Sequence, residues 1–323
     1  MRDAMNASII HGLTAIPATI SPKYFYDTVG CALFERITAL PEYYPTRTER
    51  AIMAQHGQEM AEQIACAARP SPLACVIELG AGNCEKAREL CTLLHPQCFV
   101  AVDIAGDFLH ESVAGLRESF PGLDVRAVVA DLNEEIILPA DLPSGSRLLF
   151  YPGSSIGNFD PTPALALLGR MRRLLLERPS GGALLVGVDL IKDAALLEAA
   201  YDDAAGVTAT FNLNALTHLN RLIGSNFHPG DWRHYAVFNS QQSRIEMHLE
   251  ALRDVQVDWH GPWPGQEHDK AKRLFRQGER IHTESSYKYS IASFSQLLSR
   301  AGFQKTVFWT DPNQWFAVFL AHV

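Results

Sequence analysis

Val76-Ile77-Glu78-Leu79-Gly80-Ala81-Gly82-Asn83 closes an apolar run of strand length, Leu73–Leu79, with two glycines in three positions. Glycines at a strand-to-helix turn let a ligand approach the backbone closely. Working outward, Glu49–Ala68 reads as a helix that Pro70-Ser71-Pro72 ends, because proline cannot continue the backbone ladder. On the other side, Glu85–Leu94 has helical spacing, Cys98–Ile104 is a second buried strand, Asp107–Ser119 a helix and Val125–Asp131 a third strand. Leu148–Tyr151 follows as a fourth, then the helix Pro163–Leu176 and a fifth strand, Gly182–Asp189. Strands lacking polar alternation, separated by helices, predict a parallel sheet covered on both faces.

The texture changes after Asp193. Leu196–Ala205 and Asn212–Ile223 read as helices, with Asp202-Asp203 as a solvated helix start, whereas Tyr235–Asn239, Arg244–Leu252 and Val255–Trp259 alternate polar with apolar, as antiparallel strands do. The chain ends in a helix, Ile291–Ala301, capped by Gly302, and a hairpin of Lys305–Trp309 with Trp315–Ala321. We therefore expect an α/β fold: a Rossmann-like sheet with an antiparallel C-terminal edge hairpin, sharing the chain with a second α+β domain. The second domain draws on the N-terminal segment and roughly Ile191–Glu284.

Composition narrows the function. Of 323 residues 47% are hydrophobic, enough for a substantial core, and the net charge of −8 lacks the basic excess that nucleic acid selects. No apolar run approaches the roughly 20 residues that span a bilayer, and no apolar segment follows Arg2, so no membrane partner and a cytoplasmic location are expected. The six cysteines form no C-x-x-C, and Cys84 and Cys91 sit at shared-face helical spacing. Twelve histidines make neither H-E-x-x-H nor finger spacing, so no metal is expected.

Asp103 ends the second strand, where a carboxylate can accept both ribose hydroxyls, and with the glycine turn it marks a nucleoside cofactor site. Glu85 stands where G-x-G-x-x-G needs its third glycine, which argues against a dinucleotide. A left-handed turn beside a surface aspartate is the bland alternative. Gly153-Ser154-Ser155-Ile156-Gly157 satisfies the hydrolase pattern G-x-S-x-G after a strand. However, Asn158 to Pro163 intervenes before the helix that a nucleophile elbow needs at once.

The form Glu78-Leu79-Gly80-Ala81-Gly82 resembles the class I S-adenosylmethionine-dependent methyltransferases. Longer segments are similar to one family within them, the histidine-specific methyltransferases of ergothioneine biosynthesis. They are Lys23–Asp27 with Leu40–Arg47, Asp189–Asp193 with Ala200–Thr208, and His282–Lys288, in matching order from about Ser21 onward. The resemblance implies S-adenosyl-L-methionine as cofactor and trimethylation of the α-amino group of L-histidine, through its mono- and dimethyl forms, to hercynine. It implies a cofactor-binding methyltransferase domain over 48–190 and 285–323 and a substrate-binding domain over 1–47 and 191–284. Residue by residue, Gly80, Lys86, Asp103, Asp131 and Leu132 match cofactor contacts. Tyr43, Asn158 and Tyr201 match positions holding the amino acid's backbone end, and Glu284 with Ser286 those holding the imidazole. Tyr26 and Met247 match pocket positions near the amine and the ring, and Tyr26 is the candidate catalytic residue. Ser285 stands where the family carries an apolar residue, and Tyr287 where it carries a smaller one, so both bear on the shape of the ring pocket.

Chemistry favours the same residue types. A carboxylate wants neutral donors beside a sulfonium, and the Asn158 amide and Tyr201 phenol supply them. An imidazole presents one N–H and one acceptor, which a carboxylate and a hydroxyl two residues apart on an extended segment can read together. Buried core tyrosines and a surface strand acid are the structural alternatives at Tyr26, Tyr43 and Glu284. A methyltransferase of another amino acid and a non-catalytic binding module also remain open. The sequence leaves the oligomeric state undetermined and is compatible with a monomer.

Overall fold

A computed structural model describes residues 2–67, 73–177, 181–260 and 270–323. In chain order the elements begin with α1 (Arg2–Thr14), β1 (Ala18–Thr19), α2 (Thr28–Thr38) and α3 (Tyr44–Ala67). An alternation follows: β2 (Leu73–Leu79), α4 (Glu85–Leu94), β3 (Cys98–Asp103), α5 (Gly106–Ser119), β4 (Asp124–Val129), β5 (Ser146–Tyr151), α6 (Pro161–Leu176) and β6 (Gly182–Asp189). Next come α7 (Ala194–Tyr201), α8 (Val207–Ile223), β7 (Trp232–Asn239), β8 (Arg244–Ala251), β9 (Val255–His260), β10 (Lys270–Phe275) and β11 (Arg280–Tyr287). The chain closes with α9 (Ile291–Arg300), β12 (Lys305–Thr310) and β13 (Phe316–His322). The chain divides into two units, Met1–Tyr44 with Asp193–Ser286 and Pro45–Lys192 with Tyr287–Val323.

The second of these holds a seven-stranded sheet in the order β12-β13-β6-β5-β2-β3-β4. Five strands run parallel, while β13 lies antiparallel to β6 and β12 antiparallel to β13. This is the expected α/β sheet with an antiparallel edge. Alternate residues serve opposite faces: Cys75, Ile77 and Leu79 pack with α6 and α9, whereas Val76 packs with α3, α4 and α5. Both faces are buried, so the strands need no polar alternation. The strand order reverses between β2 and β5, the point where open α/β sheets bind ligands beyond their carboxyl ends. The loops after these two strands carry Gly80 and Gly153.

The other unit holds a four-stranded sheet, β1-β11-β8-β7, and a two-stranded one, β10-β9. Ile9, Leu13, Leu216, Leu219, Trp232, Leu249, Trp259 and Phe275 form its core. The sequence pattern alone does not mark helices α1 and α2 or strand β10. Asp27 caps α2 by accepting from the Gly30 amide at 2.7 Å.

Two expectations need correction, and Pro70-Ser71-Pro72 lies outside the described residues. The helix expected over Leu196–Ala205 spans Ala194–Tyr201, and the following one starts at Val207. The cause is Asp203, which is buried rather than solvated and accepts from the Val207 and Thr208 amides at 3.0 and 2.7 Å. Those bonds fix the start of the second helix, while Asp202 stays exposed.

Candidate active site

The Gly80 loop is built on its neighbouring strand. The amides of Gly80 and Ala81 both donate to the Val102 carbonyl, at 2.8 and 3.1 Å, and Gly80 and Gly82 have φ of +69° and +51°. Left-handed backbone of this kind excludes most side chains. Asp103 accepts from the Gly82 amide at 3.0 Å and from the Ala105 amide at 2.9 Å, so two turns fix its carboxylate. Asp131 accepts from the backbone and side chain of Asn133, and the Leu132 carbonyl accepts from Arg170 at 2.6 Å. These residues all belong to the unit with the large sheet.

Two buried acids here have no role assigned from the sequence, Glu78 of the glycine-turn motif and Glu49. Glu78 is almost fully buried, and its Oε2 meets no hydrogen-bond partner among the described residues. Burial pushes its pKa well above the usual carboxylate range, Glu49 and Asp103 push the same way, and Lys86 opposes them. Glu49 of α3 accepts from the Gly153 amide at 3.0 Å and pairs with Lys86. A signal for Glu49 existed in Gly187, a glycine inside the apolar strand β6: a Cβ there would stand 1.9 Å from Glu49 Oε1.

The loop after β5 forms a 3-10 turn, Ser155–Asn158, before α6. Ser154, at φ +58°, occupies the left-handed position, and its hydroxyl accepts from the Asp189 amide at 2.9 Å. Ser155 donates instead to the Pro152 carbonyl at 3.2 Å. The G-x-S-x-G serine is therefore neither the strained residue nor paired with a base, contrary to an elbow. Asn158 sits at the end of this turn. Tyr287 donates to Asp160 of this loop at 2.8 Å.

Within the other unit the remaining expected residues come together. Tyr26 packs edge-to-face on Phe34 and Phe211, Phe34 on Tyr43, and Tyr43 on Tyr201, with centroid separations of 5.8 to 6.3 Å. The Tyr201 hydroxyl shares a 2.8 Å hydrogen bond with Ser286. Glu284 and Ser286 are both buried on β11, so the surface-acid alternative for Glu284 falls. Met247 is buried on β8, beside β11, and its carbonyl accepts from Thr283 at 3.0 Å. His234, which sequence reading passed over, receives a hydrogen bond from Asn212 at Nδ1 and donates from Nε2 to the Tyr201 carbonyl, both at 2.8 Å. The Asn212 amide's second bond, to the His248 carbonyl, makes it the donor and fixes this tautomer. Burial holds the His234 pKa below its ordinary value, in keeping with a neutral ring.

The model of the family described as "Histidine-specific methyltransferase, SAM-dependent" matches residues 5–323. The chain belongs to that family. Histidine N-alpha-methyltransferase of Mycolicibacterium smegmatis is 36% identical, over 99% of this chain and 95% of that one. Ergothioneine biosynthesis protein 1 of Neurospora crassa is 30% identical, over 93% of this chain and 32% of that one. Among solved structures, DesVI of Streptomyces venezuelae is similar with a TM-score of 0.42 and 11% identity, over 92% of this chain and 99% of that one.

Like its family, this methyltransferase takes S-adenosylmethionine, and the residues present fit it. The Oε2 of Glu78 is a buried polar atom without a hydrogen-bond partner among the described residues, and a Cβ at Gly82 would meet nothing within 4 Å, leaving room beside the backbone. Among the described residues no group of three or more His, Cys, Asp or Glu could hold a metal, and no helix is long and apolar enough to cross a membrane.

Proposed function

We propose that this methyltransferase transfers three methyl groups in turn to the α-amino group of L-histidine, giving hercynine for ergothioneine biosynthesis. The observation that carries the substrate is the buried pair Glu284 and Ser286 on one strand. An ionised carboxylate only accepts, so Glu284 selects a ring N–H, and the Ser286 hydroxyl serves the other nitrogen. The cofactor supplies a methyl already activated by its sulfonium. The chain's own work is therefore positioning more than acid–base catalysis.

Asp103 holds the ribose hydroxyls, Gly80 gives backbone access, Lys86 adds a cofactor contact, and Asp131 and Leu132 meet the adenine. Tyr43, Asn158 and Tyr201 hold the amino acid's backbone end with neutral donors, and Met247 packs near the ring. Tyr26 lies near the amine and takes its proton onward to water, because only the neutral amine attacks. In this reading 48–190 with 285–323 bind the cofactor, and 1–47 with 191–284 bind the substrate. The location is cytoplasmic, with no nucleic-acid or membrane partner.

The test is mass spectrometry of products after incubation with S-adenosylmethionine and each of the twenty amino acids. Mono-, di- and trimethylated histidine should appear, and no other amino acid should be modified at a comparable rate. Preferred methylation of a different amino acid would overturn the substrate assignment.

A further inference from the structure

Asp160 occupies the N-cap position of α6, with φ −56° and ψ 156°, yet its side chain makes no cap hydrogen bond. The sequence narrows the choice. A capping carboxylate accepts from the amide of the second or third helical residue, and Pro163 removes the third, leaving only that of Thr162. The carboxylate turns to Tyr287, whose hydroxyl donates to it at 2.8 Å.

This bond and a close backbone approach both seat the loop of Asn158 on Tyr287. At Gly157 a Cβ would stand 2.7 Å from the Tyr287 carbonyl oxygen, so the two backbones are in close contact. Gly157 and Asp160 bracket Asn158. The loop's other end is tied by Ser154 to the Asp189 amide, and Lys288 pairs with the Asp189 carboxylate at 2.8 Å. Tyr289 donates from its amide to the Asp189 carbonyl at 3.1 Å. The segment Tyr287–Tyr289 is thus fixed to the same strand end as the loop.

We propose that Tyr287 is a positioning residue for histidine: its hydroxyl holds Asp160, and through Asp160 it aims the Asn158 amide at the substrate carboxylate. The inference rests on the histidine reading above. Tyr287 follows Ser286 directly, so one short segment carries a ring-reading residue and the tie on the carboxylate-holding loop.

The experiment compares wild type with Tyr287→Phe, Asp160→Ala and the double variant, using calorimetric titration with histidine in the presence of S-adenosylhomocysteine. Steady-state kinetics, S-adenosylmethionine titration and thermal melting accompany it, and Glu284→Ala serves as the control on the histidine reading. Each single variant should raise the histidine Kd and KM about tenfold, the effect of losing one charge-assisted hydrogen bond's worth of alignment. The double variant should be no weaker than the singles, because both remove one interaction. S-adenosylmethionine affinity should hold, and kcat at saturating histidine should fall far less than kcat/KM. An unchanged histidine KM in both single variants, with Glu284→Ala impaired, overturns the role of Tyr287 and leaves the histidine reading intact. If Glu284→Ala is unimpaired as well, both fall. An equal loss of cofactor affinity makes Tyr287 a general structural tie and also overturns the proposal.

Discussion

Asp103 and Glu284 are both carboxylates, yet their surroundings predict opposite consequences of losing them. Asp103 is fixed by two backbone amides, and an amide side chain can accept with only one oxygen. Asp103→Asn should weaken S-adenosylmethionine by about 1.5 to 3 kcal/mol, the worth of a hydrogen bond to a charged group, and leave histidine affinity nearly unchanged. Isothermal calorimetry with each ligand reads this, and undiminished cofactor binding would remove Asp103 from the ribose. Glu284→Ala should act on the substrate instead, costing about 1 to 3 kcal/mol of histidine binding by leaving a ring donor unpaired in a desolvated pocket. An apolar ring gains at the same time, so the preference for histidine over phenylalanine narrows from both sides. Competition kinetics with the two amino acids would expose a wrong assignment as unchanged discrimination. The hydrogen bond between Tyr201 and Ser286 adds a constraint on protons: each hydroxyl has one, so when Tyr201 donates to the carboxylate and Ser286 to the ring, their mutual bond is given up.

At the scale of elements, the end of β6 is held by charge. Asp189 is buried with Lys192 and Lys288 on its two carboxylate oxygens, and burial lowers the Lys192 pKa to about 8. Burial alone would raise the Asp189 pKa, but the two ammonium groups outweigh it and hold the carboxyl below its ordinary range. Asp189→Asn leaves two ammonium groups without their carboxylate and should cost about 3 to 5 kcal/mol of stability, read from urea unfolding at neutral pH. Because the folded pKa lies below the unfolded value of about 3.9, the stabilisation is present in full above that value. It is lost as pH falls through the folded pKa, so the variant should show a flatter acid limb. A midpoint shift of under a tenth of the wild-type value would show that the cluster contributes little. The element boundaries teach a related lesson. Strand β2, helix α4 and strand β6 fall where their apolar patterns place them, whereas the α7–α8 break depends on a buried Asp203 that pattern alone reads as solvated.

For the whole molecule, the substrate is a free amino acid whose carboxylate is itself a recognition group. If Asn158 and Tyr201 hold that end, histidine should be methylated and histidinamide should not, because an amide brings a donor where donors already stand. Equal turnover of the two, followed by mass spectrometry, would take both residues out of the carboxylate's reach. The α/β order, the glycine turn, Asp103 and the family segments were all legible in the sequence, because strand and helix periods and turn glycines are local requirements of the backbone. Tertiary structure alone decided the rest: that Glu284 is buried, that Tyr201 meets Ser286 across 85 positions, that Glu49 pairs with Lys86, and that Asp160 turns from its helix to Tyr287. Each depends on which distant group the fold presents to a polar atom once water is removed. Local pattern shows that such an atom needs a partner, and only the packed chain shows which one it has.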